Sequence, residues 1–136
     1  MNVVLDASLT LTWFLDEDGT EAGLEVARML ADTTAIVPQL WSLEVANGFQ
    51  MAIRRKRTTP EARDTALVDL SQMAIETDAE TGDHAWHATL GLSDRYELTA
   101  YDAAYLELAI RQRLPLATLD ERLATAARAA GVPVLP

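Results

Sequence analysis

Short apolar runs alternate with amphipathic stretches along this chain. The β-branched run at residues 3–5 ends in a carboxylate and predicts a buried strand of a parallel sheet, apolar on both faces. Further strands are predicted at residues 35–38, 114–119 and 132–135, with a weaker candidate at residues 73–77. Because proline cannot donate to a sheet ladder, Pro133 places the 132–135 strand at an edge.

Helical patterns separate these strands. Helices are predicted at residues 20–31, 40–54, 60–72, 83–93, 102–113 and 121–130. Within the second helix, Trp41, Val45 and Phe49 share one apolar stripe, which predicts that Trp41 points into the core. The alternation of strands and helices predicts one α/β domain over residues 1–136, with helices on both faces of a central parallel sheet of four to five strands.

Composition narrows the class of protein. Of the 136 residues, 49% are hydrophobic and none is cysteine, so disulfides and thiolate zinc sites are excluded. No apolar run approaches the roughly 18 residues that a membrane span needs. The first residues carry no basic segment of the kind that begins a signal peptide. We therefore expect a cytoplasmic protein without a membrane partner.

The charge balance at first argues against a nucleic-acid partner. The formal net charge is −10, whereas binding to a phosphate backbone usually needs a basic surface. The positive charge is unevenly placed, however, and four cations are consecutive: Arg54, Arg55, Lys56 and Arg57. This basic block is a candidate RNA-backbone contact. The alternative is a solvated run that complements the C-terminal dipole of its helix.

Four acids occupy positions typical of a site. Asp6 and Asp120 each follow a predicted strand, and ligand sites of open α/β sheets form at the carboxyl ends of strands. Asp102 opens a predicted helix, and Glu44 lies at the edge of the Trp41 stripe. The alternatives are helix caps for the three aspartates and an ordinary boundary glutamate for Glu44.

Four convergent carboxylates without cysteine would make an all-oxygen site, which prefers Mg²⁺ or Mn²⁺. Such a cluster could not stay fully ionised without cations, because like charges at close range raise each other's pKa. One or two ions held in this way hydrolyse phosphodiesters by lowering the pKa of a water and stabilising the leaving oxygen.

The segments around the four acids resemble the ordered motifs of PIN domains. The matching segments are VVLDAS at residues 3–8, PQLWSLEVAN at 38–47, TAYDAAYLELA at 99–109 and LATLDERL at 116–123, with a closing strand at 131–135. The resemblance covers essentially the whole chain, although residues 57–95 match only in helical character. Within the family, the chain resembles the VapC toxins of toxin–antitoxin pairs.

This resemblance implies an α/β/α sandwich and a Mg²⁺- or Mn²⁺-dependent endoribonuclease, the toxin of a type II toxin–antitoxin system. It implies that the four acids hold the metal and perform the catalysis: Asp6, Glu44, Asp102 and Asp120. Ser8 and Thr118 match positions that support the cluster by hydrogen bonding, and Asn47 matches a polar neighbour of the glutamate. The implied partners are an RNA substrate, a cognate antitoxin and a second copy of the chain, with higher assembly in the antitoxin complex.

Two other families of α/β proteins have acids at strand ends, but this chain lacks residues that they require. A receiver domain needs a lysine at a strand end, whereas the only lysine is Lys56. A haloacid-dehalogenase-like phosphatase needs a second aspartate two residues after the first, where this chain has Ser8. A non-catalytic PIN module and a DNA-directed nuclease stay open.

Two further groups of residues have structural interpretations. His84 and His87 are expected at or near the surface rather than on a metal. Residues 13–15 are expected in the core or at a dimer contact, with stacking on RNA bases as the alternative.

Overall fold

In the computed structural model, which describes residues 2–15 and 21–136, five parallel strands form one sheet in the order β3-β2-β1-β4-β5. The strands are β1 (Val3–Leu5), β2 (Ala35–Val37), β3 (Ile75–Thr77), β4 (Leu116–Ala117) and β5 (Val134–Leu135). The weak candidate near Ile75 is therefore a true strand. The proline-containing segment is an edge strand, as predicted. The predicted strand at 114–119 shrinks to two residues.

Eight helices are present among these residues. They are α1 (Ala7–Leu15), α2 (Glu21–Met29), α3 (Trp41–Arg54), α4 (Pro60–Ser71), α5 (Thr81–His84), α6 (Leu90–Tyr96), α7 (Ala100–Gln112) and α8 (Glu121–Ala129). A π-helical turn, Ala85–Thr89, joins α5 to α6, where the sequence predicted one helix over 83–93. The predicted start of α2, Thr20, lies outside the described residues.

The direction of the crossovers fixes the two helical layers. The chain moves outward from β1 through β2 to β3, then returns to β4 and continues to β5. Since parallel crossovers are right-handed, α1 to α4 cover one face of the sheet and α5 to α8 cover the other. This arrangement confirms the predicted α/β/α sandwich. Within residues 2–15 and 21–136, no helix is both long enough and apolar enough to cross a membrane.

The centre of the sheet positions the site. All three residues of β1 are buried, because helices cover both faces of this strand. Crossovers leave β1 and β4 in opposite directions, and ligand sites of open sheets form where the strand order reverses in this way. Leu5 is level with Ala117, and the N–H of Asp6 donates to the carbonyl of Ala117 at 3.0 Å. Asp6 and Thr118 therefore lie side by side at the carboxyl edge.

Candidate active site

The four acids come from four separate elements that meet at the carboxyl edge of the sheet. Asp6 follows β1 directly, and Asp120 follows β4 and precedes α8. Glu44 lies in the first turn of α3, and Asp102 lies in the first turn of α7. Residues far apart in the chain are thus brought together by the parallel topology.

Asp6 is the buried member, with its side chain held from two directions. The hydroxyls of Ser8 and Thr118 both donate to its Oδ2, at 2.6 Å and 2.7 Å. Burial raises the pKa of Asp6, the hydrogen bonds from Ser8 and Thr118 lower it, and the charge of Asp120 raises it again. The balance leaves the pKa above its usual value, because burial and the charge of Asp120 together outweigh the hydrogen bonds. The backbone N–H of Ser8 also lies 3.4 Å from Oδ1, so the predicted capping contact coexists with the site.

Asp120 serves as the N-cap of α8, which confirms the alternative considered from the sequence. Its Oδ1 accepts the backbone N–H of Leu123 at 3.0 Å. Its own N–H donates to the hydroxyl of Thr118 at 3.0 Å. Thr118 therefore links Asp6 to Asp120 through a single hydroxyl group, and one oxygen of Asp120 is already engaged.

Asp102 is not the N-cap of its helix, although it lies in the first turn, where a carboxylate complements the helix dipole. α7 begins at Ala100, and its N-cap is Thr99, whose hydroxyl accepts the N–H of Asp102 at 3.1 Å. Because Thr99 supplies the cap, the Asp102 carboxylate is not needed for that role. Burial raises the pKa of Asp102, and the charges of Asp120 and Asp6 raise it further.

Glu44 is held by Tyr105, a residue whose role the sequence alone does not predict. The phenol hydroxyl of Tyr105 donates to Glu44 Oε1 at 2.5 Å. Burial raises the pKa of Glu44, the bond from Tyr105 lowers it, and the charges of Asp6 and Asp102 raise it. The pKa of Tyr105 is raised well above its usual value by burial and by Glu44, so the phenol keeps its proton and acts as a donor.

Electrostatic coupling ties the four carboxylates together. The charge of Asp120 raises the pKa of Asp6, and the charge of Asp6 raises the pKa of both Glu44 and Asp102. Arg122, in the first turn of α8, has the opposite effect and lowers the pKa of Asp102. Its guanidinium donates to the carbonyl of Glu97 at 3.0 Å. Repulsion among the acids would be relieved by a bound cation.

The donor set fits a hard divalent cation better than a soft one. All four side chains offer carboxylate oxygen, the ligand that Mg²⁺ and Mn²⁺ prefer. In the conformation described, however, no three Asp, Glu or His side chains of residues 2–15 and 21–136 lie close enough together to ligate one ion. Mg²⁺ usually takes one or two protein carboxylates and keeps several waters, so the donor chemistry fits this ion without a closed protein cage.

Two further sequence predictions concern α3, namely Asn47 as a polar neighbour of Glu44 and the basic block of residues 54–57 as an RNA contact. Asn47 is exposed, and its amide donates along α3 to the sulfur of Met51 at 3.6 Å. Arg54 is the last residue of α3, ten residues after Glu44, which is about 15 Å along the axis. The basic block of residues 54–57 therefore lies at the opposite end of α3 from the acids. Arg57 donates to the carbonyl of Leu15 at 3.4 Å.

The remaining expectations concern aromatic residues and histidines. Trp13 donates from Nε1 to the carbonyl of Gly23 at 2.8 Å. It packs with its neighbours 14 and 15 against the core, which confirms the core interpretation of that segment. His84 is half-buried with its Nε2 4.0 Å from a carboxylate oxygen of Glu80, and His87 is exposed. Both histidines are near the surface, as expected.

Comparisons with known proteins support the family assigned from the motifs. The family model described as the PIN domain matches residues 3–129. The search of curated proteins gave no match.

Solved structures share the fold at low sequence identity. PAE2754 from Pyrobaculum aerophilum is 21% identical, with a TM-score of 0.69 over 98% of this chain and 92% of that one. VapBC2 from Rickettsia felis, bound to a DNA fragment from its promoter, is 16% identical, with a TM-score of 0.68 over 98% and 97%. VapC20 from Mycobacterium tuberculosis, a toxin that cleaves the sarcin–ricin loop, is 18% identical, with a TM-score of 0.62 over 98% and 99%.

At these identities the structural similarity establishes the fold alone, and several of the similar structures are toxins or toxin–antitoxin complexes. The family model adds the sequence evidence, because its match spans all four acidic motifs and nearly the full length of the chain. On these grounds the chain belongs to the PIN-domain family.

Proposed function

We propose that this PIN domain is a Mg²⁺- or Mn²⁺-dependent endoribonuclease and the toxin of a type II toxin–antitoxin system. The observation that carries the proposal is the electrostatic coupling of four carboxylates, from four elements, near the point where the strand order reverses. A purely structural role would not explain this arrangement, because burial, with a smaller contribution from repulsion among the acids, raises the pKa of three of the four acids.

The roles of the acids follow from their environments. A divalent ion, when bound, would lower the pKa of a water and stabilise charge on the phosphate. Asp6 is the anchor, because it is buried and two hydroxyls fix its orientation. Glu44 and Asp102 lie on helices that cover opposite faces of the sheet. Asp120 is connected to Asp6 through the hydroxyl of Thr118, which accepts its backbone N–H. These four side chains would share the cation directly or through water.

Cations of the chain would have to bring RNA to an acidic site. Arg122 is the cation whose charge acts on Asp102, so it is well placed to meet a phosphate near the acids. The basic block of residues 54–57 is about 15 Å farther along α3, so RNA that contacts both regions would have to run along that helix. We propose Arg122 for the phosphate near the cut and the basic block for a flanking segment.

The partners are proposed from the structural neighbours. VapBC2 and the Klebsiella pneumoniae complex are toxin–antitoxin assemblies, so we propose a cognate antitoxin for this chain as well. Leu43, adjacent to Glu44, leaves 76% of its surface exposed and offers an apolar contact beside the site. A homodimer is proposed on family grounds, and light scattering of the isolated chain tests it directly.

Two alternatives use the same fold. A non-catalytic PIN module would have no reason to keep four mutually repelling acids, which makes it the weaker candidate. A DNA-directed nuclease would use the same metal chemistry, since discrimination by the 2′-hydroxyl depends on contacts outside the acidic cluster. RNA and DNA of one sequence must therefore be compared in the same assay.

The test is cleavage of end-labelled RNA by protein purified free of any partner, with Mg²⁺, Mn²⁺ or EDTA. Asp6→Asn is the inactive variant, and Asp69→Asn, an exposed acid of α4, is the matched control. We expect metal-dependent cleavage that Asp6→Asn reduces by about 100-fold or more and Asp69→Asn leaves unchanged. Cleavage that survives Asp6→Asn would contradict the proposal. Cleavage of DNA in preference to RNA would favour the second alternative.

A further inference from the structure

Tyr105 has an unusual environment for a core residue. Its side chain is fully buried in α7, with 0% of its surface exposed, yet its hydroxyl reaches two other elements of the site. It donates to Glu44 Oε1 at 2.5 Å, and the backbone N–H of Ala7 lies 3.4 Å from the same phenol oxygen. Since Ala7 is the first residue of α1 and follows Asp6, one hydroxyl connects α7, α3 and the start of α1.

Packing alone does not account for a tyrosine at this position. Phenylalanine would fill nearly the same volume, and apart from Glu107 the other buried positions of α7 are alanine and leucine. The hydroxyl adds one specific contact, a short hydrogen bond to a carboxylate in a poorly solvated place, where such bonds are strong. The contact occupies one oxygen of Glu44 and restricts the rotation of its flexible side chain.

The geometry also relates Tyr105 to Asp102. The two residues are three apart in α7 and therefore lie on the same side of the helix. α7 thus supplies one acid of the cluster itself and, one turn later, the donor that orients a second acid on another helix. Preorganisation of this kind raises affinity, because the ligand does not have to order the side chain on binding.

We propose that Tyr105 is a positioning residue that holds Glu44 in the orientation needed to take a divalent cation. This inference rests on the proposed metal-dependent function. Tyr105 acts through Glu44 and touches neither the ion nor the RNA. Its removal should therefore weaken metal binding while leaving the rate at saturating metal close to that of the wild type.

The experiment compares wild type, Tyr105→Phe, Glu44→Gln and the double variant. Calorimetry gives the Mn²⁺ dissociation constant of each, and urea unfolding in EDTA gives the coupling between the two side chains without metal. Tyr96→Phe, another tyrosine at the end of α6, is the matched control. We expect Tyr105→Phe to weaken Mn²⁺ binding about 10–100-fold, Tyr96→Phe to leave it unchanged, and the loss to vanish in the Glu44→Gln background.

The outcomes separate this inference from the function on which it rests. If urea unfolding reveals the coupling but Tyr105→Phe binds Mn²⁺ within about two-fold of wild type, Tyr105 is merely structural and the inference is overturned. If wild type binds no Mn²⁺ although the coupling is present, the metal-dependent function itself fails. A weakened affinity of equal size in the Glu44→Gln background would also overturn the inference, because the effect would not pass through Glu44.

Discussion

Replacing Thr118 by valine tests how strongly the buried carboxylate of Asp6 is held in place. Thr118 is 3% exposed, and its hydroxyl makes two contacts that valine cannot make. It donates to Asp6 Oδ2 at 2.7 Å and accepts the backbone N–H of Asp120 at 3.0 Å. Valine has nearly the same shape, so the variant removes these hydrogen bonds with little change in packing.

The expected cost follows from the two contacts. A hydrogen bond to a charged partner contributes about 1.5–3 kcal/mol, and a half-buried N–H left without its acceptor costs roughly 1 kcal/mol more. The free energy of unfolding should therefore fall by about 2–4 kcal/mol, and Tm by roughly 10 °C for a domain of this size. Because the lost bond lowers the pKa of Asp6, the deficit should be largest where Asp6 is ionised and should shrink as the pH falls and Asp6 takes up a proton.

Urea unfolding in EDTA at pH 7 and near pH 4.5 measures this effect. Thr118→Ser keeps the hydroxyl and should stay closer to wild type. Ser8→Ala removes the other donor to Oδ2, but Ser8 is exposed, so water can replace it at a cost below about 1 kcal/mol. If Thr118→Val has the same free energy of unfolding as the wild type, or loses no more of it than Ser8→Ala does, burial does not make the bond from Thr118 to Asp6 strong and the prediction is wrong.

Three further predictions concern other charges. Asp6→Asn should raise Tm at pH 7 in EDTA, because burial raises the pKa of Asp6, and this gain should fade as the pH falls through that pKa toward 3.8. Arg111→Met should cost about 3–5 kcal/mol in urea unfolding, since it strands the buried carboxylates of Asp78 and Glu107, 2.6 Å and 2.8 Å from the guanidinium. The contribution of this ion pair to the wild-type stability should be lost as the pH falls below 3.8. Burial raises the pKa of Asp78, but Arg111, with hydrogen bonds from Glu80 and Thr81, lowers it by more. Arg122→Ala should raise the KM for RNA and leave the Mn²⁺ affinity unchanged. RNA binding by this variant should release about one counter-ion fewer, which is measured as a shallower dependence of the binding constant on salt concentration. If both the KM and this salt dependence are unchanged, Arg122 does not contact a phosphate.

The placement of the acids was predictable because it depends on local patterns and one topological rule. Asp6 and Asp120 each follow a short apolar run, and the carboxyl ends of parallel strands share one edge. The start of α7 is also encoded locally, since Thr99 is a favoured N-cap residue, although the sequence prediction begins the helix two residues late.

What could not be predicted depends on contacts between distant segments. Tyr105 and Glu44 are 61 positions apart, and a tyrosine in an apolar helix is indistinguishable from ordinary core until its hydroxyl partner is known. The ion pair of Arg111 with Asp78 spans 33 positions and was overlooked for the same reason. The π-helical turn at residues 85–89 shifts the helical register without any break in the sequence pattern.

The central claim is that the four carboxylates at the carboxyl edge hold a divalent cation. A crystal soaked in Mn²⁺ and measured near the manganese absorption edge locates that ion by its anomalous scattering. The proposed function predicts an anomalous peak bounded by Asp6, Glu44, Asp102 and Asp120, and its loss in Asp6→Asn crystals. Ordered carboxylates with no peak among them, at a Mn²⁺ concentration that supports RNA cleavage, would contradict it.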